Sequence, residues 1–113
     1  MEKLMGNLMG NLMGNLMGNL MGIPMLESAI EAKLMRLVKA KGGVLYRLDP
    51  RSKKGAPDRV VVLPGRPTTF VELKTDRGRL SPLQVVELDR IRAAGGRAVV
   101  LYGATQVQAF VDA

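Results

Sequence analysis

Three side chains carry the chemistry this chain can offer: Asp58, Glu72 and Lys74. Glu72 and Lys74 are separated only by Leu73, and residues two apart on a strand leave the same face of it. Asp58 follows Pro57 and opens the preceding apolar run. If the two strands pair as a hairpin, the Asp58 carboxylate comes beside Glu72. Two carboxylates and one ammonium then converge at one edge of a sheet. That arrangement suits a hard divalent cation and a water that attacks phosphate.

Composition narrows the alternatives. The chain has 113 residues, enough for one small domain, with no cysteine and no histidine. Zinc sites of the usual kind, Ser-His-Asp or Cys-His nucleophiles and a histidine general base are therefore excluded. Disulfides cannot form, which fits a reducing cytoplasm. What remains is chemistry by carboxylate, lysine, hydroxyl or hard metal ion. Net charge is +7, from 17 Lys+Arg and 10 Asp+Glu. The first 24 residues carry only Glu2 and Lys3, which cancel, so the excess falls on the rest. A small domain this basic points to a polyanion, most simply a nucleic acid backbone; the plainer alternative is a well-solvated surface.

The elements that must position these residues can be read between 25 and 113. Leu26, Ile30, Leu34, Leu37 and Val38 recur at helical spacing, predicting a helix over 26–41. Glu27 and Glu31 lie in its first turns, Lys39 and Lys41 at its end, and Gly42-Gly43 stops it. Strands are predicted at 44–48, 59–63 and 68–74. A polar, basic loop separates the first two, and Pro64-Gly65-Arg66-Pro67 turns between the second and third. Ser81 and Pro82 open a second helix as N-cap and first helical residue, with an apolar stripe of Val85, Leu88, Ile91 and Ala94. A last strand at 97–102 and a short helix at 105–111 follow. This α-β-β-β-α-β-α order predicts a mixed α/β fold.

The front of the chain is different. From Leu4 it repeats Leu-Met-Gly-Asn. In a helix four residues turn about 400°, so no fixed apolar face survives. The uncharged stretch and its glycines at every fourth position suggest a membrane span, but Asn7, Asn11, Asn15 and Asn19 count against it. They also interrupt any secretory h-region. We expect residues 1–24 to be a low-complexity extension outside the fold, with the domain at 25–113, no membrane partner and a cytoplasmic setting.

The ordered set of residues resembles a known family. Gly55-Ala56-Pro57-Asp58, Val71-Glu72-Leu73-Lys74 and Gly78-Arg79-Leu80-Ser81-Pro82-Leu83-Gln84 are similar to the VRR-NUC (virus-type replication-repair nuclease) branch of the PD-(D/E)xK superfamily. The resemblance covers residues 25–113 and leaves out the repeat. It implies a restriction-endonuclease-like mixed β-sheet flanked by helices. It also implies a metal-dependent DNA endonuclease, using Mg2+ with Mn2+ able to substitute. Stand-alone members of this size resemble homodimeric resolvases of four-way (Holliday) junctions, whereas the domain fused to others cuts flaps and other branched repair intermediates. No small-molecule cofactor is implied.

Within that frame Asp58, Glu72 and the Leu73 carbonyl are expected to hold the metal. Lys74 is expected to orient or deprotonate the attacking water and offset phosphorane charge. Glu27 is expected to bind a second metal or a metal-bound water, with Glu31 one turn on as the alternative. The Gln84 amide is expected to hold the scissile phosphate or the water. Gly55 lets the backbone turn beside the site. Arg51, Lys53, Lys54, Arg77 and Arg79, on two flanking loops, are expected to contact phosphates. Only Tyr46, Phe70, Tyr102 and Phe110 are aromatic, so base stacking is not the expected mode. Each residue also has a plainer role available: a strand-start acid for Asp58, an ion-paired strand residue for Glu72 and Lys74, a helix-dipole acid for Glu27, and an exposed amide for Gln84. The competing functional reading is a basic DNA-binding module without catalysis. A sequence-specific, restriction-like enzyme is disfavoured because the chain is short for a separate recognition domain.

Overall fold

A computed structural model describes residues 25–49 and 51–113. The elements are α1 (Glu27–Ala40), β1 (Val44–Arg47), β2 (Arg59–Val62), β3 (Thr69–Lys74), α2 (Pro82–Ala93), β4 (Arg97–Tyr102) and α3 (Gly103–Asp112). The strands form one sheet in the order β1-β2-β3-β4. β1 with β2 and β2 with β3 are antiparallel, whereas β3 and β4 run parallel. The parallel pair needs a crossover, and α2 provides it. The repeat expected to lie outside the fold, and the membrane and secretory readings attached to it, fall outside the described residues. Among the described residues no helix is long and apolar enough to cross a membrane.

Strand alternation divides the sheet into two faces. Val61 and Leu63 from β2 and its exit, Val71 and Leu73 from β3 and Leu101 from β4 pack with Ile30, Leu34 and Val38 of α1 and Val107 and Val111 of α3. This is the main core. The opposite face carries Val60, Phe70, Glu72 and Lys74, and α2 lies on that side over β4. Arg66, in the β2–β3 turn, donates to the carbonyls of Phe110 and Val111, the last acceptors of α3. A guanidinium there satisfies orphan carbonyls and complements the negative end of the helix.

Three expectations are corrected. The closing helix starts at Gly103 rather than Thr105, because Gly103 takes φ +78 and turns the chain from strand to helix with no intervening loop. The strands are a residue shorter at one end: β1 stops at Arg47, β2 at Val62, and β3 begins at Thr69. The apolar stripe of α2 does not face the core as a stripe. Leu88 is buried, but Val85 and Ala94 are exposed and the polar Glu87 is buried instead. Glu87 lies 3.9 Å from Lys53 and 3.3 Å from Arg90.

Candidate active site

The β2–β3 register brings the expected pair together. Arg59 stands opposite Val71, so the next step along the ladder sets Asp58 opposite Glu72 on the face away from the main core. Asp58 is fixed from its other side as well, since its carbonyl accepts from the Leu48 N–H of β1's exit at 2.7 Å. Glu72 is only 6% exposed, while Asp58 is half-buried. Burial pushes the Glu72 carboxyl above its ordinary range, and the Asp58 charge adds to the shift. Lys74 and Arg59 pull the other way without cancelling it, and Glu27 adds to the rise. Arg59 already offsets the Asp58 charge at 2.6 Å, and a divalent cation between the two carboxylates would offset both.

Gln84 reaches this pair from α2. Its Nε2 donates to Glu72 Oε1 at 3.3 Å, while its Oε1 accepts from the Ser81 N–H at 2.9 Å. Ser81 Oγ in turn accepts from the Gln84 N–H, closing a capping box. Lys74 points from the same face as Glu72 but makes no ion pair with it within 4.0 Å among the described residues, so the plain Glu72–Lys74 bridge does not form. Gly78 leaves room for Lys74: a Cβ there would stand 3.1 Å from Lys74 Cβ. Gly55 has φ +86, and a Cβ on it would meet Leu83 of α2 at 2.7 Å. The basic loop before Asp58 therefore packs directly on the helix that carries Gln84.

The two helix-one acids separate. Glu31 accepts from Arg59 Nη2 at 3.0 Å and pairs with Arg47 Nε at 3.2 Å. The hydrogen bond from Arg59 holds its carboxyl below the ordinary range, against the opposing effect of burial. Glu31 is thus paired with two cations, Arg59 and Arg47. Glu27 is exposed and its charge reaches Glu72. Among the described residues no three acids stand close enough to enclose a metal ion. The donors present are two facing carboxylates with Glu27 further out, which fits a magnesium-like ion that keeps several waters better than an all-protein cage.

The loop cations divide likewise. Arg51 is tied to Asp49 and Lys53 lies 3.9 Å from Glu87, whereas Lys54, Arg77 and Arg79 have no acidic partner among the described residues. Two residues escaped the reading of the sequence. Arg59 is 3% exposed and joins Asp58 (2.6 Å) to Glu31. The clue was its place in phase with Val61 and Leu63, a charge at a core-facing strand position with acids on the preceding helix. Asp76 lies over Gly103 so closely that a Cβ on Gly103 would overlap its carboxylate. No local pattern signals that contact.

Comparison with known proteins shows the family. The family model for the VRR-NUC domain matches residues 27–105. A phage protein named "Putative nuclease p44", from Acyrthosiphon pisum secondary endosymbiont phage 1, is 36% identical over 75 residues, covering 66% of this chain and 81% of its own. A solved structure of a VRR_NUC domain superposes with a TM-score of 0.69 at 29% identity, covering 76% of this chain and 94% of that one. The matched span runs from Glu27 through the Asp58–Glu72 pair and Gln84 to the start of α3, and on that ground the chain belongs to the VRR-NUC nuclease family.

Proposed function

We propose that this chain is a divalent-metal-dependent endonuclease that hydrolyses phosphodiester bonds in branched DNA, acting as a homodimer on four-way junctions in a bacterial or phage-infected cell. The observation that carries the reading is the Asp58–Glu72 pair with Gln84 bonded to Glu72 from a capped helix. Asp58, Glu72 and the Leu73 carbonyl would hold Mg2+ or Mn2+, with Glu27 acting through water. A cation held there supplies Lewis-acid polarisation of the phosphate and lowers the pKa of water.

The chain's own groups do the rest. The Lys74 ammonium, on the Glu72 face, orients the attacking water and offsets the charge that builds on the phosphorane. The water's oxygen bonds to phosphorus as the bond to the leaving sugar oxygen breaks, and that oxygen takes up a proton. Gln84 has its carbonyl oxygen occupied by Ser81, so its amide is held with the donor end toward Glu72 and the reacting centre. Lys54, Arg77 and Arg79 contact phosphates on either side, which makes binding steeply salt-dependent. Arg51 and Lys53, already paired with acids, contribute less.

Support for a two-fold assembly comes from apolar surface left in the open. Val44, Tyr46 and Leu48 on and just beyond edge strand β1, and Leu83, Val85 and Val86 on α2, are all exposed. Tyr46 is 60% and Val86 49% exposed. A symmetric dimer presents two sites related by a two-fold axis, which suits paired nicks across a junction.

The test is cleavage of labelled four-way junction, flap and linear duplex DNA with Mg2+ or Mn2+, beside Lys74→Ala. Symmetric nicking of the junction, lost in the variant, is the expected result. Cutting confined to flaps would keep the site and change the substrate. DNA binding without cutting under any metal would leave a basic binding module.

A further inference from the structure

Among the described residues Arg59 is the one buried cation, and it sits between two carboxylates. Nη1 donates to Asp58 Oδ1 at 2.6 Å and Nη2 to Glu31 Oε2 at 3.0 Å. Its Nε is buried without a hydrogen-bond partner, as is Glu31 Oε1, which has only the ion pair with Arg47. The Arg59 side chain leaves the strand on the α1 face and that of Asp58 on the site face, so the guanidinium bridges the two sides of the sheet at the strand's end.

We propose that Arg59 is a resident counter-cation of the metal site: it neutralises Asp58 until a divalent ion arrives, competes with that ion for the carboxylate, and has its strength set by Glu31. This rests on the reading of Asp58 and Glu72 as the metal-holding pair. Two effects of Arg59 oppose each other. By holding Asp58 in one rotamer it favours binding, but one aspartate has few rotamers to lose. By placing a fixed positive charge against a ligand of a doubly charged ion it disfavours binding, and in a partly desolvated site this electrostatic effect is the larger. The arginine therefore keeps Asp58 and Glu31 together at the expense of metal affinity. Glu31 draws part of that charge away, so the helix acid tunes a site it does not touch.

The experiment is calorimetric titration of the full chain with MnCl2, in the absence of DNA, for the wild type, Asp58→Asn, Arg59→Met and Glu31→Gln, with thermal melts in EDTA and in Mn2+. Arg59→Met is expected to bind Mn2+ about ten-fold more tightly, and to show a larger metal-induced rise in Tm than the wild type. Glu31→Gln is expected to bind several-fold more weakly, because Arg59 then acts undivided on Asp58. A purely structural Arg59–Glu31 bridge moves both variants in the same direction, which would overturn the proposal, as would unchanged affinity in either. If Arg59→Met does not fold, Glu31→Gln decides alone: weaker binding supports the proposal, and equal or tighter binding overturns it. Absence of Mn2+ binding by the wild type, or full binding by Asp58→Asn, would overturn the metal pair itself and the counter-cation with it.

Discussion

The side chain of Gln84 is fixed at both ends, its oxygen by the Ser81 N–H and its nitrogen by the Glu72 carboxylate. A helix cap and a site contact thus share one amide. Gln84→Ala removes both, and we expect a loss of about 1 kcal/mol of stability together with cleavage slowed about ten-fold or more. Gln84→Glu keeps an oxygen for the cap but sets a carboxylate against Glu72. Only in acid, where Glu72 is protonated and the repulsion is gone, should it melt closer to the wild type than the alanine variant; it should cut at least as poorly. Single-turnover cleavage beside thermal melts separates the two roles; wild-type cutting by Gln84→Glu would remove this contact from the site.

Stability without metal should respond to pH in opposite senses at two glutamates. Burial raises the Glu72 carboxyl, so its contribution is complete below the ordinary glutamate value of about 4.3 and is lost as pH rises through the raised one. At neutral pH the ionised group is a cost, and Glu72→Gln should raise Tm in EDTA, with the gain shrinking in acid. Glu31 is lowered by its Arg59 hydrogen bond, so it stabilises above its ordinary value and loses that contribution as pH falls through the lowered one. Glu31→Gln should lower Tm at pH 7, and each kcal/mol corresponds to about 4–8 °C in a domain of this size. Melts across pH 3 to 8, the range of about the two ordinary carboxylate and neutral limits, check both signs.

Gly103 should be far less replaceable than Gly95. Both take positive φ, +78 and +92, but nothing lies within 4 Å of a Cβ at Gly95, whereas at Gly103 it would overlap the Asp76 carboxylate. Gly95→Ala is expected to cost about 1–2 kcal/mol from backbone conformation alone. Gly103→Ala must also expel Asp76, and with it shift the loop bearing Arg77 and Arg79. We expect a larger loss of stability and weaker DNA binding, read by chemical denaturation and a binding titration.

The exposed apolar surface gives a prediction for assembly. Tyr46→Lys and Val86→Glu alter residues that face solvent in the isolated chain, so neither should lower monomer stability beyond about 0.5 kcal/mol. If one of these two patches joins two copies, sedimentation should show the change in that patch converting dimer to monomer, with paired nicking of junctions reduced to single nicks. An undisturbed dimer in both variants would place the two-fold interface elsewhere.

Much of the candidate site's geometry is legible in the sequence because it is written in short-range periodicity. The spacing of Glu72 and Lys74 alone puts them on one strand face, and Ser81-Pro82 with Gln84 spells a capped helix start. Helix α1, the hairpin and the crossover helix follow from apolar spacing and turn residues, and the result matches a VRR-NUC fold. What the sequence could not determine is which charges meet across elements. Glu27 and Glu31 look equivalent along the helix, and only the approach of β2 commits Glu31 to Arg59 while leaving Glu27 exposed. Arg59 itself is an ordinary basic residue until burial between two acids makes it part of the centre. The limited cover that α2 gives the sheet, and the overlay of Asp76 on Gly103, are likewise decided by packing between distant segments. Local periodicity determines faces and ends; the pairing of charges across them depends on distances that exist only once the chain is folded.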